Sequence, residues 1–169
     1  MAVLTNTSLT GVPGLVIQAV SETKTGVFSE SVTAGSKSGA ALTKAITTSA
    51  ASNKVLVSLY LTTSVGGTSN RFGVTLKRGG SEIAISDSTG DNKKRTSVCG
   101  NNTNDNNCDA ISFSYLDSPG SAASHTYTVH LNHGSSNTQT IYLNRAGVES
   151  NNNYRMRGTS TLTLQEISG

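Results

Sequence analysis

The chain has 169 residues, a formal net charge of +3 and only 34% apolar residues, with no tryptophan. This length suits one domain, and so few apolar residues predict a thin core. The thirteen basic residues are spread along the chain and no apolar run is long enough for a membrane-spanning helix, so we expect neither nucleic acid nor membrane as a partner.

Residues 1–14 are predicted to form an N-terminal arm ahead of a domain that covers 15–169. They are small and polar, and Pro13-Gly14 separates them from the rest of the chain. Four apolar residues are scattered through the arm: Val3, Leu4, Leu9 and Val12. Because the start MAVLTNTSLTG lacks the charged and long apolar parts of a signal peptide, we expect synthesis in a cytoplasm.

The next segments read as strands of different strength. The nearly continuous apolar run 15–20 predicts a strand buried on both sides, by the domain core and by a neighbouring subunit. Residues 21–38 fit either weak edge strands or a surface excursion. Residues 40–46 could form a helical turn, because Ala and Leu favour helix, but Thr47-Thr48 and the loop that follows favour a short strand.

The middle of the chain carries the clearest alternation of apolar and polar residues. KVLVSLYLT at 54–62 predicts a strand whose inward face is formed by Val55, Val57, Leu59 and Leu61. RFGVTLK at 71–77 predicts a second strand, and the Gly79-Gly80 turn predicts a hairpin into 82–86. Residues 87–109 predict a long polar loop, a feature that is usually functional or mobile.

The stretch 111–131 is predicted to be the centre of the fold. Apolar residues alternate on both sides of the turn signal Asp117-Ser118-Pro119-Gly120, which predicts a hairpin with one apolar face per strand. Such faces need a second sheet to cover them. With further strands at 140–143 and 160–167, the count of eight to ten short strands predicts an all-β sandwich of two antiparallel sheets.

No residue pattern predicts a catalytic or metal site. Cys99 and Cys108 bracket a polar loop and are either a disulfide or two free thiols. His125, His130 and His133 are close in sequence, but His130 and His133 alternate to opposite faces of a strand, so we interpret the three as surface histidines. No nucleophile, base and orienting group can be named together, so we expect no enzyme activity and no cofactor.

Several segments resemble a known family. They are VIQAVSETKTGVFSE, SNKVLVSLYL, RFGVTLKRGGSEIAISDS, SFSYLDSPGSAASHTYTVHL, IYLNRAG and RGTSTLTLQEI, which span residues 15–167. Together they resemble the jelly-roll domain of tail-fibre and other virion-surface proteins of tailed phages, especially phages of aquatic bacteria. The resemblance implies a homotrimer similar to the tumour-necrosis-factor fold, non-enzymatic and exposed on the particle.

The short arm favours one role within that family. An arm of thirteen residues reaches at most about 45 Å, enough to cross a neighbouring shell protein and too short for a fibre shaft. We therefore expect a capsid decoration (cement) protein on the virion surface, with the major capsid protein as partner and the apolar arm residues added to a capsid strand edge. The alternative is a tail-fibre tip that binds host surface glycan through exposed loops, with the candidate residues Asn101, Asn102, Asn104, Arg145, Tyr154 and Arg155.

Overall fold

Two antiparallel sheets contain all the strands of the described chain. The computed structural model describes residues 12–66, 71–87, 96–101, 106–150 and 156–169, and these residues include no helix. They therefore also include no helix that could cross a membrane. The strands are β1 (Val16–Lys24), β2 (Phe28–Val32), β3 (Ala40–Thr47), β4 (Lys54–Val65), β5 (Arg71–Arg78), β6 (Ser81–Ile83), β7 (Val98–Asn101), β8 (Asp109–Asp117), β9 (Ser124–His133), β10 (Gln139–Leu143) and β11 (Ser160–Ile167).

The first sheet is organised around β4, its longest strand. Its order is β1-β11-β4-β10-β2, and β8 pairs with β4 as well. β11 runs along Lys54–Tyr60 and β10 along Thr63–Val65, while β8 pairs with Val55–Thr63. The second sheet has the order β3-β9-β5-β6, with β7 also paired to β5. The predicted hairpin between β5 and β6 is confirmed.

The core lies between the two sheets, as strand alternation predicts. The predicted inward face of β4 is confirmed, since each of its four apolar residues is at most 4% exposed. A fully buried Val or Leu side chain contributes about 1.5–3 kcal/mol. Other fully or nearly fully buried residues come from β5, β9 and β11, namely Val74, Leu76, Tyr127, Val129, Leu131, Leu162 and Leu164.

The predicted hairpin at 111–131 is wrong, although both of its strands exist. β8 pairs with β4 in the first sheet, whereas β9 pairs with β3 and β5 in the second. Residues 118–123 therefore carry the chain from one sheet to the other. Turn residues reverse the chain in the same way whether the next strand joins the same sheet or the opposite one, so the local pattern could not distinguish the two.

Two further predictions are wrong and one is confirmed. The domain core does not bury one side of the run 15–20 as predicted, because β1 is an edge strand and the successive residues Val16 and Ile17 are 54% and 52% exposed. The short strand predicted at 40–46 is confirmed as β3. The polar stretch 87–109 is interrupted by β7, which pairs with β5.

Candidate interaction surface

The outer side of the first sheet forms an unusual surface across four strands. The registers of β8, β4, β11 and β1 align their outward residues in three rows. We name these positions the hydroxyl face. Its residues are Ser112, Tyr60, Thr161, Thr23, Ser114, Ser58, Thr163, Ser21, Leu116, Leu56, Gln165 and Ala19.

The hydroxyl face carries no charged residue, although the whole chain contains 14% Asp, Glu, Lys and Arg. Seven of its twelve positions are Ser or Thr. Neighbouring hydroxyls pair across β1 and β11, at 3.2 Å between Ser21 and Thr163 and at 3.3 Å between Thr23 and Thr161. Small, neutral hydroxyls are far cheaper to remove from water than charged groups, so this face can be covered by another protein at low desolvation cost.

Large exposed side chains lie on the same face. Tyr60 is 51% exposed and Leu116 is 47% exposed. Depletion of charge and an exposed Tyr are two features of the central part of protein interfaces, although Ser is less common there. A solvent face of a sheet normally mixes in Lys and Glu, which this one lacks.

β8 supplies one row end of the hydroxyl face at each level and forms the edge of that face. It pairs with β4 along its whole length and has no other strand partner among the described residues. Its inward residues Phe113 and Tyr115 are only partly buried, and their stacked rings lie 6.5 Å apart. Edge strands that stay free usually carry Lys, Pro or a bulge, and β8 carries none of these between its terminal aspartates. It is therefore a candidate contact for another chain.

Two buried carboxylates flank Val55 at one end of the sandwich, and both have structural partners. Asp117, 4% exposed, accepts from Arg78 Nη1 at 2.6 Å and from the Tyr127 hydroxyl at 2.7 Å. Because Asp117 belongs to β8 and its partners to β5 and β9, the group joins the two sheets. Burial, followed by the hydrogen bond and charge of Asp117, raises the pKa of the Tyr127 hydroxyl. This hydroxyl therefore stays protonated and donates.

Glu166 is the second carboxylate and is 2% exposed. Its Oε1 accepts from the Ser49 amide and from Asn53 Nδ2, both at 2.6 Å, and from the Ser49 hydroxyl at 2.8 Å. Burial alone would raise the pKa of Glu166, but these hydrogen bonds outweigh it, so the pKa is lowered. Through these hydrogen bonds Glu166 attaches the loop between β3 and β4 to β11. We therefore assign it a structural role.

The arm residues singled out from the sequence lie mostly outside the described chain. Val3, Leu4 and Leu9 fall there, while Val12 is described and 43% exposed. The Val12 carbonyl accepts a hydrogen bond from the Ser168 hydroxyl. The arm therefore leaves the domain beside the end of β11.

The structure describes two of the six candidate ligand residues, Asn101 and Arg145. Asn102, Asn104, Tyr154 and Arg155 lie outside the described residues, and Asn101 is exposed at the end of β7.

Arg145 contacts residues that lie close to it in the sequence. Its guanidinium lies 4.4 Å from the centre of the Tyr142 ring, contacts Glu149 at 3.0 Å and donates to the carbonyls of Ala146 and Gly147. The structure thus uses Arg145 to hold the loop after β10.

The cysteines and histidines also take defined places. Cys99 and Cys108 are both free thiols. The surface interpretation of His133 is wrong, because it is 2% exposed and its Nε2 lies 2.7 Å from the Val32 carbonyl. His130 contacts the Ser38 carbonyl from the other face of β9. Within the described ranges, no three His, Cys, Asp or Glu side chains cluster as a metal site.

Comparison of the chain with protein-family models and with curated protein sequences gave no match.

Proposed function

We propose that this protein is a non-catalytic structural component of a phage virion, a jelly-roll homotrimer that decorates the capsid surface. The observation that carries the self-association is the hydroxyl face, four strands wide and free of charge, whose edge strand β8 pairs with β4 alone among the described residues. The assignment to a virion is supported by the segments that resemble virion-surface domains of tailed phages.

The path of the chain supports a jelly roll. From β3 to β4 to β5, and again from β8 to β9 to β10, the chain alternates between the two sheets. Connections that cross the ends of a two-sheet sandwich in this way are typical of jelly rolls. The Asp117 group at one such crossing ties the sheets together where the chain changes sides.

The two neighbouring surfaces support a closed ring. The hydroxyl face measures roughly 20 by 20 Å, or about 400 Å², from usual strand spacings. A stable interface buries about 800 Å² per partner, so the face alone is small. A face packed against the β8 edge of the next subunit is a heterologous contact, and such contacts form a closed ring when the rotation between subunits allows it. In a closed trimer each subunit uses both surfaces, so three small contacts act together.

The decoration role predicts binding to assembled shells. Purified protein is mixed with shells of the encoding phage that lack it, and with host cells, and bound protein is measured after sedimentation. Decoration predicts saturable binding to shells that requires the arm residues Val3, Leu4, Leu9 and Val12. Binding to host cells but not to shells would instead favour the tail-fibre tip.

A matched control separates the arm from the domain. A variant in which those four arm residues are replaced by Ser keeps the domain and the trimer surfaces intact, so we expect a trimer that no longer sediments with shells. Shell binding that persists in this variant would contradict the role of the arm.

A further inference from the structure

A cavity of about 440 Å³ lies at the end of the second sheet, where β7, β5 and β9 run side by side. Its volume is in the range of small-molecule sites. The cavity is separate from the hydroxyl face, which belongs to the other sheet. Arg71, Gly73, Thr96, Asn132 and Gly134 are among its lining residues.

Two glycines make the shape of the cavity. A Cβ atom at Gly73 would overlap the side-chain oxygen of Asn132 and the methyl group of Thr96. A Cβ atom at Gly134 would lie 2.8 Å from the Cβ atom of Arg71. Glycine at these positions therefore lets the amide and the arginine stem lie directly over the backbone.

Two polar side chains of the lining can contact a ligand. Asn132 is 4% exposed and lies in the wall of the cavity. The Arg71 guanidinium makes no ion pair with the acidic residues that the structure describes. A ligand with matching donors and acceptors can replace the water that such cavity-lining groups otherwise contact.

We propose that this cavity binds a sugar acid, a single pyranose unit that carries a carboxylate. Arg71 offers the fork of N–H donors that a carboxylate accepts. Asn132 offers a donor and an acceptor, as neighbouring sugar hydroxyls require. Asn132 on β9 is paired with Gly73 on β5, and Arg71 lies two residues before Gly73 on the same strand. The Asn132 and Arg71 side chains therefore start from positions about 7 Å apart. One hexuronate ring with its carboxylate spans that distance.

The rest of the lining fits a monoanion with apolar ring faces. Phe72 and Val98 contribute apolar wall, and the described lining residues include no carboxylate that would repel an acid. Arg71 is the single Lys or Arg among them, which matches one negative charge. A doubly charged phosphate would call for more cationic partners.

The test is a titration of the ¹⁵N-labelled protein with sodium glucuronate, followed by amide correlation spectra. We expect saturable shifts confined to Gly73, Thr96, Gly134 and their neighbours. Glucose and inorganic phosphate serve as comparison probes and are expected to bind at least tenfold more weakly. Absence of saturable shifts, shifts elsewhere, or equal binding of glucose or phosphate would overturn the proposal.

Variants assign the binding to the two groups. R71Q and N132A are each expected to weaken glucuronate at least tenfold, while K77Q, which changes the same charge on the same strand away from the cavity, stays within twofold. The same spectra report whether each variant is folded. Glucuronate binding that is unchanged in folded R71Q and N132A would also overturn the proposal.

Discussion

Placing one carboxylate at the centre of the hydroxyl face should dissociate the proposed trimer without unfolding the subunit. Ser58 lies between Ser114 and Thr163 in the middle row, and none of the twelve positions offers a cation to pair with a new acid. In a trimer, S58D leaves an uncompensated buried charge at each interface, which costs about 3–5 kcal/mol. At 1.4 kcal/mol per tenfold, each contact weakens by about two to three and a half orders of magnitude.

Sedimentation velocity over a concentration series measures this effect. The wild type is expected at three times the chain mass of 17.4 kDa, and S58D at one chain mass. S58D should still be folded by circular dichroism, because Ser58 is only partly buried within one subunit. S124D, on an exposed position of the second sheet, is the control and should stay trimeric. A trimeric S58D would refute the assignment of the interface to this face.

Three predictions concern the stability of the sandwich. L59D should abolish folding, because a lone charge at a position 4% exposed costs several kcal/mol, whereas L59M should fold, as circular dichroism will report. T75V should raise the free energy of unfolding by about 1 kcal/mol in urea titration, since the fully buried Thr75 hydroxyl has no hydrogen-bond partner among the described residues; a loss of stability would contradict this. The pKa of Glu166 in the folded protein lies below its ordinary value of 4.5. The stability that the ionised Glu166 contributes is therefore present above pH 4.5 and is lost as the pH falls through the pKa of the folded protein. Acid should therefore destabilise the wild type more than E166Q. Equal acid sensitivity of the two proteins would show that these hydrogen bonds do not act in this way.

Strands that bury one face were predictable from the sequence, because alternation reports burial directly. β4, β5 and β11 were found in this way, and so was the turn from β5 to β6. Pairing was harder. The local sequence does not show that β8 and β9 join different sheets, because the choice of a pairing strand depends on residues far away in the chain.

Errors arose where burial depends on position within the sheet. The apolar run of β1 is typical of a central strand, but β1 lies at the edge of its sheet, so Val16 and Ile17 are exposed to solvent. His133 was expected at the surface because histidine usually stays hydrated, yet its inward position on β9 buries it against the Val32 carbonyl.

The hydroxyl face could not be found from the sequence alone. Its serines and threonines alternate with apolar residues along each strand, as any solvent face does. Only the registers show that four such strands lie side by side without a charge. The burial of Asn132 in the cavity wall was equally hidden, because the sequence does not show which asparagine will be buried.

Cryo-electron microscopy of purified virions tests the central proposal most directly. The proposal predicts density for three copies of the sandwich on the capsid shell, with the hydroxyl face of each chain turned toward its neighbour and the arm in contact with the major capsid protein. Density confined to the tail, absence from the particle, or single copies with that face in solvent would contradict it.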